Sequence, residues 1–280
     1  MDSRIFGTTQ RQVAAIGQGS WHLELGDERA AIAALRRGMD LGLTHIDTAE
    51  MYGDGAAERI IGKAIAGRRE EVFLVSKVLP TNASKTGAVQ ACEKTLKRLG
   101  TERLDCYLLH WRGRYPLAET VAGFDLLLKG GKILSWGVSN FNVSDLDEIT
   151  ALGAEPACNQ VLYHLQERAI EHTVIPWCER HKTAVVAYTP FGQESAPYAG
   201  KTPGARLLKD IGDKHNASAR QVALRFLLRH LSVFVIPKAV SAAHVADNAA
   251  AMNLKLAASE LAAIDAAFPR GAKRRDLPMI

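Results

Sequence analysis

Residues 72–109 read VFLVSKVLPTNASKTGAVQACEKTLKRLGTERLDCYLL, and their period changes twice. Val72-Phe73-Leu74-Val75 is a compact apolar run, and Cys106-Tyr107-Leu108-Leu109 is another. Uninterrupted runs of this length suit strands covered on both faces, whereas half-exposed strands alternate. Between them Val89, Cys92, Leu96 and Leu99 recur at helical spacing and stop before Gly100, a natural C-terminal cap. The stretch is therefore a strand–helix–strand unit, which implies a parallel pair joined by a crossover helix.

The same alternation runs along the chain in both directions. Further strand candidates fall at 16–20, 43–46, 133–139, 157–161, 184–187 and 233–236, making eight with the two above. A helix carrying Ile32, Leu35 and Met39 is opened by Asp27 and followed by Gly42; another, opened by Ser218, carries Val222, Phe226 and Arg229. Eight units in a chain of 280 residues is the size of a closed (β/α)8 TIM barrel, in the α/β class. Residues 4–15 precede the first strand and are expected to form an N-terminal β-hairpin closing the barrel bottom. A doubly wound open sheet is the competitor, but Gly17-Gln18-Gly19-Ser20-Trp21-His22 lacks the third glycine of a dinucleotide fingerprint. With no linker or repeat, residues 1–280 are read as a single domain.

Composition narrows the function. The chain is 47% hydrophobic and 23% charged, which excludes disorder, and no apolar run approaches the roughly 18–20 residues of a membrane span. Charges at Asp2, Arg4, Arg11, Glu24, Asp27, Glu28 and Arg29 break up the first thirty residues, so no secretory segment is expected there and the cytoplasm is the expected compartment. The net charge of +5 is scattered apart from Lys273-Arg274-Arg275, read as a solvated tail; no nucleic-acid or membrane partner is expected. Cys92, Cys106, Cys158 and Cys178 lie far apart and read as reduced core thiols, with no metal site.

In a barrel, chemistry collects where strands end at the C-terminal face. The first polar residues after the apolar runs are Asp47, with Tyr52 in the following loop, then Lys77, His110 followed by Trp111, Ser139-Asn140, Asn159-Gln160, Tyr188 and Lys238. Any one of them is weak evidence, because turns are wet; their convergence on one rim carries the argument. An ammonium beside a phenol is expected to lower the phenol's pKa, and Asp47 would keep Lys77 charged. With His110 orienting a carbonyl oxygen, the group is a proton donor aimed at an oxygen gaining negative charge. Carbonyl reduction also needs a hydride, which no side chain supplies, so a nicotinamide cofactor is implied. Ser139, Asn140 and Gln160 can hydrogen-bond a carboxamide, Tyr188 can stack on a ring, and Lys238 can meet a phosphate.

The sequence resembles the aldo-keto reductase superfamily over essentially its whole length. The matching text is Gly42-Leu43-Thr44-His45-Ile46-Asp47-Thr48-Ala49-Glu50-Met51-Tyr52-Gly53, Val75-Ser76-Lys77, Leu108-Leu109-His110-Trp111, Trp136-Gly137-Val138-Ser139-Asn140-Phe141, Asn159-Gln160-Val161 and Ile236-Pro237-Lys238. The resemblance implies NAD(P)H-dependent interconversion of carbonyls and alcohols by Asp47, Tyr52, Lys77 and His110, with Tyr52 as proton donor. It places Ser139, Asn140 and Gln160 on the carboxamide, Tyr188 on the ring, and Thr189, Phe191 and Gln193 in the loop over the pyrophosphate. Lys238, Val240, Ser241, His244, Asp247 and Asn248 fall at the adenosine end. Ala239 and His244 stand where the family often has Ser and Arg, which weakens a strict NADPH preference; NADPH is still expected, with NADH the alternative. Trp21, Leu79 and Trp111 fall at pocket walls.

The tail after Phe268 is short, so an open pocket for small aldehydes, ketoaldehydes and sugars is expected, as in bacterial members acting on methylglyoxal-type substrates or diketogluconate. A small-molecule substrate and a monomer complete the expectation. Three rivals are a dehydrogenase running oxidatively, an aldolase using Lys77 as a Schiff-base nucleophile, and a cofactor-sensing channel subunit. The adjacent Asp47 opposes the second, and a barrel beginning almost at Met1 opposes the third.

Overall fold

The N-terminal strands β1 (Ser3–Ile5) and β2 (Gln12–Ala14) pair antiparallel, with Arg4 opposite Val13, and deliver Phe6 into the bottom of a parallel barrel. This is seen in a computed structural model that describes every residue except 1, 194–197, 199 and 275. The Phe6 ring is fully buried, 4.7 Å from that of Phe73, 5.0 Å from Phe234 and 5.6 Å from His45. The expected hairpin and its closing role are both present. Arg275 of the basic triplet lies outside the described residues.

Among the described residues the barrel is built from eight strands: β3 (Gln18–Gly19), β4 (His45–Asp47), β5 (Phe73–Val78), β6 (Cys106–Leu109), β7 (Trp136–Ser139), β8 (Cys158–Leu162), β9 (Ala184–Tyr188) and β10 (Val233–Val235). They pair in chain order, all parallel. Parallel bridges Ile16–Val235 and Gly19–Lys238 join the two ends and close the sheet. The outer helices include α1 (Glu28–Asp40), α2 (Ala56–Ile65), α3 (Lys85–Leu99), α4 (Leu117–Lys129), α5 (Val143–Ala151), α6 (Val174–Arg180), α7 (Pro203–His215), α8 (Ala219–Leu227), α9 (Ala242–Ala250) and α10 (Ala258–Ala267). Their caps are the ones the local sequence specifies: Asp27 accepts from the Ala30 N–H, Ser218 from Gln221, and Gly100 ends α3 in the left-handed region.

Several boundaries differ from the pattern. The 72–75 run extends to Val78, and the 133–139 candidate begins as a strand only at Trp136. Asp47, Lys77, Ser139, Gln160 and Tyr188 thus lie inside strands rather than beyond them, because pairing continues while polar side chains face the barrel interior. Arg229 lies past the end of α8; its guanidinium stacks 3.9 Å over Phe226 and pairs with Glu171.

Candidate active site

Lys77 is completely buried, and its Nζ donates to Asp47 Oδ1 at 2.6 Å, to the Thr48 carbonyl at 2.8 Å and to the Tyr52 hydroxyl at 3.3 Å. Strand β4 supplies Asp47, its neighbour β5 supplies Lys77, and the turn before α2 supplies Tyr52. The second oxygen of Asp47 accepts from Gln160 Nε2 at 2.7 Å, across the barrel from β8. Burial alone favours the neutral amine, but Asp47 and Tyr52 outweigh it and hold the Lys77 pKa above its ordinary value. Burial pushes the Asp47 carboxyl up, opposed by Lys77 and Gln160. An ammonium held by three oxygens is the opposite of a nucleophilic amine, which needs a depressed pKa, so the geometry stands against the Schiff-base alternative.

Tyr52 departs from the sequence-based expectation. Its pKa is raised, because burial of the phenolate outweighs the attraction of Lys77, and Asp47 adds to the rise. Against the ammonium stand the low-dielectric surrounding and the Asp47 carboxylate, both of which disfavour the phenolate. The phenol is therefore protonated at neutral pH. His110, one residue beyond β6, packs edge-on to Tyr52 with ring centroids 5.9 Å apart. Burial, and then Lys77, lower its pKa to about 3, so the imidazole is neutral; its Nδ1 is buried without a partner.

A cavity of about 710 Å³ opens above this group. Asp47, Tyr52, His110, Ser139, Asn140 and Gln160, from the strand ends and the loop after β4, line its inner end, and Trp21 and Trp111 also line it. Tyr188, Thr189, Phe191, Gln193 and Lys238 continue the lining. Within it the Tyr188 hydroxyl donates to Asn140 Oδ1 at 2.9 Å, and Asn140 Nδ2 donates to the His110 carbonyl at 3.2 Å. Asn140 holds φ +62° and Thr189 φ +49°. The left-handed region is uncommon for asparagine and strained for a β-branched threonine, so the surroundings hold both turns.

Other expected residues stand apart from the cavity wall. Leu79 is half-buried outside it, its N–H donating to Glu50 Oε1 at 2.7 Å. Val240 and His244 are exposed, and Ser241 caps α9 by accepting from the His244 N–H. Asp247 accepts from Ser218 Oγ at 3.0 Å and Gln221 Nε2 at 2.7 Å, while Asn248 is buried. Apart from Leu79, these residues lie on or just before α9, which follows closely after Lys238 on the wall.

The sequence reading missed Met51, Arg220, Met279 and Ile280, which also line the cavity. The short tail after Phe268 thus reaches the cavity, where Met279 and Ile280 remain exposed. Arg168 donates to the Phe268 carbonyl, His172 meets the Gly271 carbonyl at 3.1 Å, and Arg274 pairs with Glu167 at 3.1 Å, so the segment is tied along its course. No local sequence signal connects residue 168 to residue 268. Arg220 sits 4.9 Å over the Phe191 ring and 5.6 Å over Tyr198.

Residues 15–268 match the aldo/keto reductase family. The chain is 46% identical over 270 residues to methylglyoxal reductase YeaE of Escherichia coli, covering 95% of each. It is 32% identical over 251 residues to glyoxal reductase of Bacillus subtilis, covering 89% of this chain and 87% of that protein. Its structure is similar to that of an aldo/keto reductase from Klebsiella pneumoniae in complex with NADP and acetate, with TM-score 0.93, 40% identity and complete coverage of both chains. The chain belongs to the aldo/keto reductase family.

Proposed function

We propose that this aldo/keto reductase reduces small aldehydes and ketoaldehydes of the methylglyoxal type to alcohols with NADPH, and that residues 1–280 work as a single cytoplasmic barrel domain and as a monomer. The observation that carries the chemistry is the Asp47–Lys77–Tyr52 chain at the inner end of the cavity, beside a neutral His110. The likeness to methylglyoxal and glyoxal reductases supports the substrate class. Among the described residues no helix is long and apolar enough to cross a membrane.

The cavity suits a dinucleotide. Beyond the inner group its lining offers the amides of Asn140 and Gln160, the face of Tyr188 and the cations Arg220 and Lys238. Ser139, Asn140 and Gln160 would hold the carboxamide, Tyr188 the ring, and Lys238 a phosphate, with Val240, Ser241, His244, Asp247 and Asn248 at the adenosine end. Bound NADPH supplies a hydride to the carbonyl carbon.

Tyr52 completes the reduction by giving its proton to the oxygen of the substrate. Burial keeps the phenol protonated until that moment, so the donor is loaded at neutral pH. The phenolate left behind faces Lys77, whose charge Asp47 and the Thr48 carbonyl maintain. His110, neutral, donates a hydrogen bond to the same oxygen without competing for its proton. Trp21, Trp111, Met279 and Ile280 add apolar surface to the cavity lining. In the Tyr52→Phe variant kcat should fall about 10²–10⁴-fold while NADPH affinity, read by quenching of protein fluorescence, stays within about twofold. Near wild-type turnover would remove Tyr52 from the mechanism.

A further inference from the structure

We propose that Glu58 is a positioning residue, bolting the turn that carries Tyr52 to the strand that carries Lys77. The inference rests on the reading of Tyr52 as proton donor. Glu58 is completely buried in the first turn of α2 and touches neither the cavity nor Lys77. One carboxylate oxygen accepts from Ser76 Oγ at 2.6 Å and the other from Arg98 Nε at 2.5 Å. Ser76 immediately precedes Lys77 on β5, so when Lys77 faces the barrel interior Ser76 faces the helices. The carboxylate thus grips the outer face of the residue next to the ammonium.

The other end of the bolt holds the tyrosine. The Ala57 N–H donates to the Tyr52 carbonyl at 3.3 Å, which ties the first turn of α2 to the catalytic turn. Arg98 lies directly against the same turn: a Cβ on Gly55, which holds φ +76°, would sit 2.4 Å from Arg98 Cδ and Nε. Arg98 also donates to Thr95 Oγ1 at 3.0 Å, which fixes it on α3. From Tyr52 the path runs through α2, Glu58 and Ser76 to Lys77, and Arg98 braces it from outside.

A pair of a fully buried carboxylate and a half-buried guanidinium is a poor source of stability, since desolvation of the carboxylate cancels much of the attraction. What the pair provides is fixed directions. The direct Tyr52–Lys77 contact is 3.3 Å, at the long end of hydrogen bonding, so a small outward shift of the turn breaks it. Glu58 also occupies a helix N-terminus, where a carboxylate is electrostatically favourable. Both oxygens are nonetheless spent on β5 and α3, which a purely helical role would not need.

The test compares Ser76→Ala and Glu58→Gln with wild type and Tyr52→Phe, in the full chain, with NADPH and methylglyoxal. Loosening the bolt should lower kcat roughly ten- to hundredfold, with KM and the NADPH dissociation constant within about twofold. The alkaline limb of the kcat–pH profile should move upward, because a more distant ammonium stabilises the phenolate less. Should Glu58→Gln fail to fold by stranding Arg98, Ser76→Ala and the double variant Glu58→Gln/Arg98→Met carry the test. Unchanged kcat and pH profile, with only a lower melting temperature, would overturn the proposal. If Tyr52→Phe is inactive while these variants are fully active, the positioning role alone fails; if Tyr52→Phe is active, the underlying reading fails.

Discussion

A phenol beside an ammonium becomes more acidic only where the attraction exceeds the cost of burying a phenolate. At Tyr52 it does not, and the consequence suits the role proposed for it: the phenol keeps its proton at neutral pH. His45 shows the weight of burial away from the site, there with Lys77 acting in the same direction. It is fully buried among the rings of Phe6, Phe73 and Phe234, with neither ring nitrogen hydrogen-bonded, and burial followed by Lys77 lowers its pKa to about 3. Since the unfolded chain binds a proton near the ordinary histidine value and the folded one does not, this residue's contribution to stability is complete above about pH 6.5. It is lost at about 1.4 kcal/mol per pH unit as pH falls toward 3. His45→Phe should therefore shrink the drop in urea midpoint between pH 7 and pH 4.5. An identical drop in both proteins would rule out this account.

At the scale of elements, the N-terminal hairpin acts as a plug. Among the described residues its two strands pair only with each other, so its attachment rests on side chains: Phe6 and Val13 in the core, Arg4, whose guanidinium donates to the carbonyls of Leu228, His230 and Val233 at 2.8–3.0 Å, and ion pairs of Asp2 with Arg225 and of Arg11 with Asp105. Phe6→Ala should lower the unfolding free energy by about 3–5 kcal/mol in urea titration. Because the cavity is at the opposite end, kcat at a permissive temperature should stay within about twofold of wild type; a smaller destabilisation would mean the floor collapses to fill the gap. Helix starts and stops were legible because Asp27, Ser218 and Gly100 act on backbone groups within a few residues. Strand ends were less so. The run from Phe73 to Val78 contains Ser76 and Lys77, and polarity at those positions reflects which face each meets rather than where pairing stops.

At the scale of the molecule, the cavity lies where the C-terminal strand ends, the loop after β9 and the tail from Phe268 onward meet. A dinucleotide that binds only the folded barrel stabilises it by mass action, about 2.7 kcal/mol at a hundred times its dissociation constant. NADPH should raise the melting temperature more than NADH at equal concentration. His244→Arg should widen that gap, because a guanidinium grips a phosphate through two parallel bonds and an imidazole does not. Equal rises with both cofactors in the variant would show that residue 244 lies away from the phosphate.

The linear order of residues was enough to specify the alternation of elements, the parallel barrel and the nearness of Asp47, Lys77, His110 and Tyr188 to the C-terminal ends of their strands, because those features depend on side-chain period and on contacts a few positions apart. Three things needed the folded chain: the closing bridge between Ile16 and Val235, the tethering of the tail that brings Met279 and Ile280 to the cavity, and the upward direction of the Tyr52 pKa. Each depends on how far apart distant residues come to rest and how much water is left between them, and neither quantity is encoded in any local stretch.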